Sequence, residues 1–224
     1  MDKNVVLSSP LFAGISSGEA KALLETVPQL TLRRGKTLYR EGEPGDRLYV
    51  IAEGKIKLGN RSNDRESLLA VLGPGDLFGE LSLFDPGPRG ATATTVDESV
   101  VYELRNEMFA KWIEQHPPMA MYLLGVLAAK LRRANESLGD MVFADVPGRL
   151  AKALLDLANR FGVPEGICVR LTHGLTQEEL AQLVGATRET VNKTLADFEL
   201  RGWIRREGRS LVVQDLERLG SRAR

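Results

Sequence analysis

LTQEELAQLVGATRETVNKTLADFELRGWI, residues 175–204, decides how this chain is read. Thr176 is placed to cap a first helix, and Glu179, three residues on, supplies the reciprocal bond of a capping box. Leu180, Leu183 and Val184 give that helix an apolar face, and Gly185 suits a sharp exit from it. A second helix is expected to begin near Thr187–Arg188, with Val191, Leu195 and Phe198 at helical spacing on its buried side. That leaves Arg188, Glu189, Asn192 and Lys193 open to solvent near its first turns. Arginine and lysine donate to guanine edges and glutamate accepts from cytosine, so the pair reads as a helix-turn-helix addressed to double-stranded DNA. A helical hairpin used only for packing would show the same periodicity. The next residues weigh against it, because WIRREGRSLVV (203–213) reads as strand, Glu207-Gly208 turn and strand. A hairpin behind a recognition helix makes a winged helix, with Arg205, Arg206 and Arg209 placed to meet phosphates.

The 224 residues carry 30 basic and 30 acidic side chains, too balanced for a general nucleic-acid coat. Residues 1–143 hold 17 basic and 19 acidic groups, net −2, and residues 144–224 hold 13 and 11, net +2. DNA binding must then rest on a local basic surface, doubled by a second copy. Cys168 is the sole cysteine, which rules out an intrachain disulfide and four-cysteine metal sites. His116 and His173 lack ligand-spaced companions, so no metal is expected. The chain opens without a signal-like run, and no segment approaches the roughly eighteen apolar residues of a membrane span. A cytoplasmic protein without membrane contact is the expectation.

Leu11–Val27 reads as short helical structure. From about Leu30 to Leu104 the texture changes to short segments rich in Val, Ile, Leu, Thr and Tyr: TLRRGKTLYREGEPGDRLYVIAEGKIKLGN (31–60), RESLLAVLGPGDLFGELSLF (65–84) and ATATTVDESVVYEL (91–104). Turn residues at Gly35, Glu43–Asp46, Glu53-Gly54 and Gly73–Gly75 separate them. Such spacing predicts an antiparallel jelly roll rather than an alternating α/β sheet, and hence an α+β protein. Neither GxxxxGK nor GxGxxG occurs. FGELSLFDPGPRGATATT (78–95) stands out. A helical turn there would offer backbone N–H groups to an anion, Arg89 adds a fork-shaped donor, and Glu80 could accept from a sugar hydroxyl. An Arg–Glu salt bridge stitching the turn is the competing reading. The density of glycine and proline, which lets backbone approach a ligand, keeps binding ahead.

Pro118 to about Met141 is expected to be one helix. Leu124, Leu127, Leu131, Ala134, Leu138 and Met141 recur at spacings of three and four, the stripe of a two-helix seam. Positions 124–141 would span about 26 Å. Tyr122, Leu123 and Val126 supply further apolar faces, so the helix can meet both its own barrel and a twin. The domains expected are thus a barrel over 1–117, a homodimerisation helix over 118–143 and a winged helix-turn-helix over 144–224, with a hinge at 145–148 where Pro147 and Gly148 interrupt the pattern. Arg149–Phe161 resumes as helix, Gly162–Gly166 reads as a loop and Ile167–Leu171 as a strand.

Together these stretches resemble the CRP/FNR family of bacterial transcription regulators over nearly the whole chain, with wording like that of actinobacterial cyclic AMP receptor-type global regulators. GEPGDRLYVIAEGKIKL (42–58) and FGELSLFDPGPR (78–89) are similar to the family's phosphate-binding barrel, DVPGR (145–149) to its interdomain junction, and LTQEELAQLVGATRETVNK (175–193) to its DNA-reading unit. The resemblance implies cyclic AMP as ligand and a homodimer on a TGTGA-like palindrome. By motif, Gly79 and Leu81 correspond to backbone donors near the cyclic phosphate, Glu80 to the partner of the ribose 2′-hydroxyl, and Arg89 to the arginine that pairs with the phosphate. Arg188, Glu189 and Lys193 correspond to base-reading positions and Thr190 to a phosphate contact. Lys193 stands where many relatives carry arginine, and lysine lacks the rigid fork.

Two departures bear on the ligand. Gly90 stands where cyclic AMP binders usually carry Ser or Thr, and Ala134-Asn135 where the usual pair is Thr-Asn or Thr-Ser. Each deletes a hydroxyl, at on the order of 1–3 kcal/mol for a buried partner left unmet. Three readings stand: cyclic AMP bound weakly, ranked first; a different nucleotide or small anion; and a ligand-independent, constitutively DNA-competent dimer. A nucleotide sensor acting on a protein partner is disfavoured by the winged helix. Ligand is expected to stiffen the seam near Ala134–Met141 and turn the domains about Asp145–Gly148, setting two recognition helices about 34 Å apart. An enzyme is not expected: cupin chemistry needs clustered His and carboxylate ligands, and the barrel segment has no histidine. Activation would require a surface that touches RNA polymerase, which no stretch marks.

Overall fold

The computed structural model describes residues 6–7, 9, 12, 15–62, 65–208 and 210–223. Arg209 and Leu11 lie outside that set. The chain divides at Arg133–Ala134 into two compact units, with Arg65–Leu68 assigned to the second.

In the first unit, helix α1 (Ser17–Thr26) opens on a capping box in which Ser16 Oγ accepts from Glu19 N and the Glu19 carboxylate accepts from Ser16 N. Two four-stranded antiparallel sheets follow, the jelly roll expected. One runs in the order β1 (Gln29–Leu32), β8 (Ser99–Arg105), β3 (Arg47–Glu53), β6 (Leu77–Phe78), and the other in the order β2 (Thr37–Tyr39), β7 (Thr92–Thr95), β4 (Ile56–Ser62), β5 (Arg65–Leu72). Strand β3 shows why its sequence is an unbroken apolar run. Successive side chains point to opposite faces, and both faces are covered. Leu48 and Val50 join a core with Leu23, Leu24, Leu104, Phe109 and Met119, while Tyr49 and Ile51 join a second with Tyr39, Ile56, Phe78 and Val101. Each such side chain contributes about 1.5–3 kcal/mol by leaving water.

A short helix α2 (Leu81–Phe84) links β6 to β7, and α3 (Asn106–Gln115) leads into the 27-residue helix α4 (Pro117–Phe143). Helix α4 buries Met119 and Leu123 near its start. From Leu131 to Leu138 every residue is exposed.

The second unit opens with α5 (Val146–Phe161). Asp145 caps it by accepting from Gly148 N at 2.9 Å, and Pro147 sits in its first turn, where a missing N–H costs nothing. The helical pattern is interrupted at the junction where the hinge is expected. Only Ala144 and Asp145 lie between the two helices, and Pro147 begins one rather than breaking one. Both linking residues are held: Arg149 Nη1 donates to the Ala144 carbonyl at 2.6 Å, and Arg222 pairs with Asp145 at 2.5 Å. Lys152 also pairs with Asp140, in the last turn of α4, at 2.6 Å. The expected loop at Gly162–Gly166 is corrected. Gly162–Glu165 forms strand β9, antiparallel to β10 (Cys168–Leu171), with Pro164 opposite Val169. Strand β9 is an edge strand, where a residue without an N–H is tolerated.

Helices α6 (Gln177–Val184) and α7 (Arg188–Leu200) form the expected pair, and β11 (Ile204–Glu207) with β12 (Ser210–Val213) forms the wing, closing a sheet in the order β11-β12-β10-β9. A last helix, α8 (Leu216–Arg222), packs on α5. Among the described residues no helix is long and apolar enough to cross a membrane, and no group of three His, Cys, Asp or Glu is arranged to hold a metal ion.

Candidate ligand pocket and DNA-reading face

The candidate ligand site is built on Gly79. Its φ of +79° is left-handed, and a Cβ there would lie 2.8 Å from Arg89 Nη1 and 3.0 Å from the Arg47 carbonyl oxygen. Conformation and space both demand glycine. The bend delivers the Gly79 carbonyl to Arg89, whose Nη1 donates to it at 3.0 Å. Arg89 itself is pinned by main-chain bonds to the preceding loop: its N–H donates to Glu43 O, and its carbonyl accepts from Gly42 N, both at 2.8 Å. The side chain is only 6% exposed and its guanidinium carbon lies 4.2 Å above the Tyr39 ring. Burial pushes the Tyr39 phenol far above its ordinary value, so the ring stays neutral beneath the cation. Arg89 Nε is buried with no hydrogen-bond partner, and among the described residues no carboxylate pairs with this arginine. A buried cation with an unmet donor has the chemistry to take an anionic acceptor.

Glu80 is 3% exposed, and its Oε1 accepts from Lys130 Nζ of α4 at 2.8 Å. Lys130 Nζ also donates to the Leu77 carbonyl at 2.9 Å. The Arg–Glu stitch weighed from sequence is therefore replaced by a Lys130–Glu80 pair. Leu81 is exposed, and around Gly90 an added Cβ would meet nothing within 4 Å. Gly79, Glu80, Leu81, Arg89 and Gly90 are thus gathered in the first unit. Ala134 and Asn135 belong to the second, on the exposed stretch of α4. Sequence reasoning missed Tyr39, Ser82, Asn106 and Lys130. Only Lys130 left a signal, as the lone charge in the otherwise apolar run 117–131.

On the other unit, Thr176 and Glu179 complete the capping box of α6, and Gly185 ends it at φ +63°. Arg149 donates from Nε to Val184 O (2.8 Å) and from Nη2 to Gly185 O (3.2 Å), closing the end of α6. Thr187 caps α7. Arg188, Glu189 and Lys193 are exposed near its start, and Lys193 pairs with Glu189 at 2.8 Å with both side chains 76% exposed. A pair so solvated is readily given up. Thr190 is half-buried, its hydroxyl 2.9 Å from that of Thr187. Asn192 is corrected: it is half-buried, and its Oδ1 is shut away from solvent without a partner. In the wing, Arg206 forks onto Glu199 of α7 at 2.6–2.8 Å, and Arg205 pairs with Glu207, which also accepts from Arg170 at 2.7 Å.

Residues 29–116 match the family model of the cyclic nucleotide-binding domain, and residues 148–222 that of the Crp-like helix-turn-helix domain. A CRP-like cAMP-activated global transcriptional regulator of Mycobacterium tuberculosis is 52% identical over 221 residues, 98% of this chain and 99% of its own. The chain belongs to the CRP family. A cyclic AMP receptor protein of Thermus thermophilus is 36% identical over 198 residues, 88% of each chain. The structure of FixK2 from Bradyrhizobium japonicum superposes with a TM-score of 0.80 at 22% identity, covering 88% of this chain and 96% of that one, a likeness of fold. This CRP-family protein is a DNA-binding transcription regulator with a cyclic nucleotide-binding domain, and not an enzyme.

Proposed function

We propose that the protein is a cytoplasmic homodimer that reads a TGTGA-like palindrome and binds it more tightly when cyclic AMP occupies each barrel. The observation that carries this reading is Arg89: buried, without a carboxylate, its Nε unmet. An acceptor-only anion such as a cyclic phosphate supplies what that group lacks. Glu80 then accepts from the ribose, competing with Lys130 for the same carboxylate, so occupancy is felt by helix α4. The dimer seam is supported by Leu124, Leu131 and Leu138, which stand more than half exposed along one stripe of α4. Arg188, Glu189 and Lys193 read bases, Thr190 and the wing arginines meet phosphates, and the exposed start of α7 supports that division.

The domain movement belongs higher than the junction. Asp140, Ala144 and Asp145 are each tied to α5 or α8, within the second unit, by Lys152, Arg149 or Arg222. Bending therefore falls on the exposed stretch Leu131–Leu138 of α4.

Fluorescence anisotropy of a labelled TGTGA-N6-TCACA duplex, with and without cyclic AMP at fixed salt and beside a scrambled duplex, tests the proposal. Specific affinity that rises with cyclic AMP is the expected result. Tight specific binding unmoved by cyclic AMP would favour the second reading, a ligand-independent regulator or one answering another anion. Gly90 and Ala134, which lack hydroxyls, and Glu80, already engaged by Lys130, favour that alternative.

A further inference from the structure

Arg89 spends only one end of its guanidinium on the protein. Nη1 donates to Gly79 O at 3.0 Å and to Ser82 Oγ at 3.3 Å. Ser82, from α2, is itself buried, and its hydroxyl donates to the same Gly79 carbonyl at 3.0 Å. Behind it stands Asn106, the first residue of α3. Its Nδ2 reaches Ser82 O at 3.0 Å and Ser82 Oγ at 3.2 Å. The amide orientation is fixed by chemistry, since the Ser82 carbonyl only accepts and must face the nitrogen. Asn106 is held in turn by its own backbone N–H, which donates to Asp46 O at 2.9 Å. Gly45 closes the other side so tightly that a Cβ there would lie 2.6 Å from Ser82 Cβ and 3.3 Å from Arg89 Nε.

We infer that Ser82 and Asn106 are positioning residues that occupy Nη1 of Arg89 and thereby leave its Nε–Nη2 edge as the fork presented to an anion. Nε, which has no partner in the protein, belongs to that edge, and two parallel N–H donors suit two phosphate oxygens. The inference rests on the reading of Arg89 as the anion donor, and it carries a ligand-free consequence of its own.

Calorimetry with cyclic AMP on full-length wild type, Ser82→Ala, Asn106→Ala, Arg89→Lys and the Arg89→Lys/Asn106→Ala double variant gives the first arm. Asn106→Ala and Ser82→Ala are each expected to weaken binding about fivefold to tenfold. In the Arg89→Lys background Asn106→Ala should add no further loss, because the fork it steers is gone. The second arm needs no ligand. The Arg89 Nε–H resonance of the 15N-labelled chain should exchange slowly with water in wild type and at least about tenfold faster in both single variants, with thermal midpoints taken alongside to exclude unfolding. Unchanged exchange, or an Asn106→Ala loss just as large without the arginine fork, overturns the inference. Relay-dependent exchange in a protein that does not bind cyclic AMP would leave the inference standing and remove the effector reading instead.

Discussion

At Gly90 the missing hydroxyl is a matter of one atom group, because the space for it already exists. An added Cβ meets nothing within 4 Å, and φ there is not in the left-handed region. Gly90→Ser should therefore fold as wild type does. One added neutral hydrogen bond to the phosphate is worth about 1 kcal/mol, so cyclic AMP should bind about fivefold to tenfold more tightly, read by calorimetry. No gain would mean that the phosphate lies away from this loop. Gly79, Arg89 and Gly90 were legible because glycine and proline crowd one short segment. Tyr39, Ser82 and Asn106 were not, since strand pairing and helix placement bring them to Arg89 from 50, 7 and 17 positions away. Local pattern carries no trace of such register.

Among the elements, α6, α7 and the wing were all legible from caps, periodicity and a turn, and each begins within a residue or two of its expected place. Strand β9 was not, because Gly162, Pro164 and Gly166 are turn residues in any local reading. It pairs on one side only, which is what allows its proline. On α7, Arg188→Ala should cost about 1–3 kcal/mol on the cognate duplex and far less on a scrambled one, since a base contact and not a phosphate is lost. Equal losses in anisotropy on both duplexes would remove Arg188 from base reading. In the wing, Arg170 first and Arg205 second hold the Glu207 carboxyl below its ordinary value, so these pairs persist at neutral pH. Glu207→Gln should release Arg205 to phosphate. Affinity for random duplex is then expected to rise several-fold, and the slope of log affinity against log salt to steepen by about one. An unchanged slope would mean that Arg205 never reaches the backbone.

For the whole molecule, two apolar faces of α4 were foreseen, and the exposed one stands uncovered on a single chain: Leu131 is 63% and Leu138 62% exposed. Leu131→Glu would bury an unpaired charge in the seam, a cost of several kcal/mol. Sedimentation should find the variant monomeric at concentrations where wild type is dimeric, with palindrome affinity lost in step. At the junction the sequence marks the interruption, while the placement of Pro147 inside the first turn of α5 depends on the Asp145 cap, which local pattern does not reveal. Arg222 above all, then the bond from Gly148 N, holds the Asp145 carboxyl below its ordinary value. The linkage has a definite sign: this contribution is complete above the unfolded carboxylate value of about 3.9 and is lost as pH falls through the lower folded value. Asp145→Asn should be less stable than wild type at neutral pH, and the gap should close as pH drops below about 4 in denaturant titrations. A gap constant with pH would show that the pair does not act as a latch. The bare stripe of α4 has one more consequence, for gene dosage. When copies are scarce relative to the dimer dissociation constant, paired protein grows as the square of the total. For the dimer proposed above, the amount of regulator a cell makes would itself be a signal, read at the promoter before any small molecule arrives.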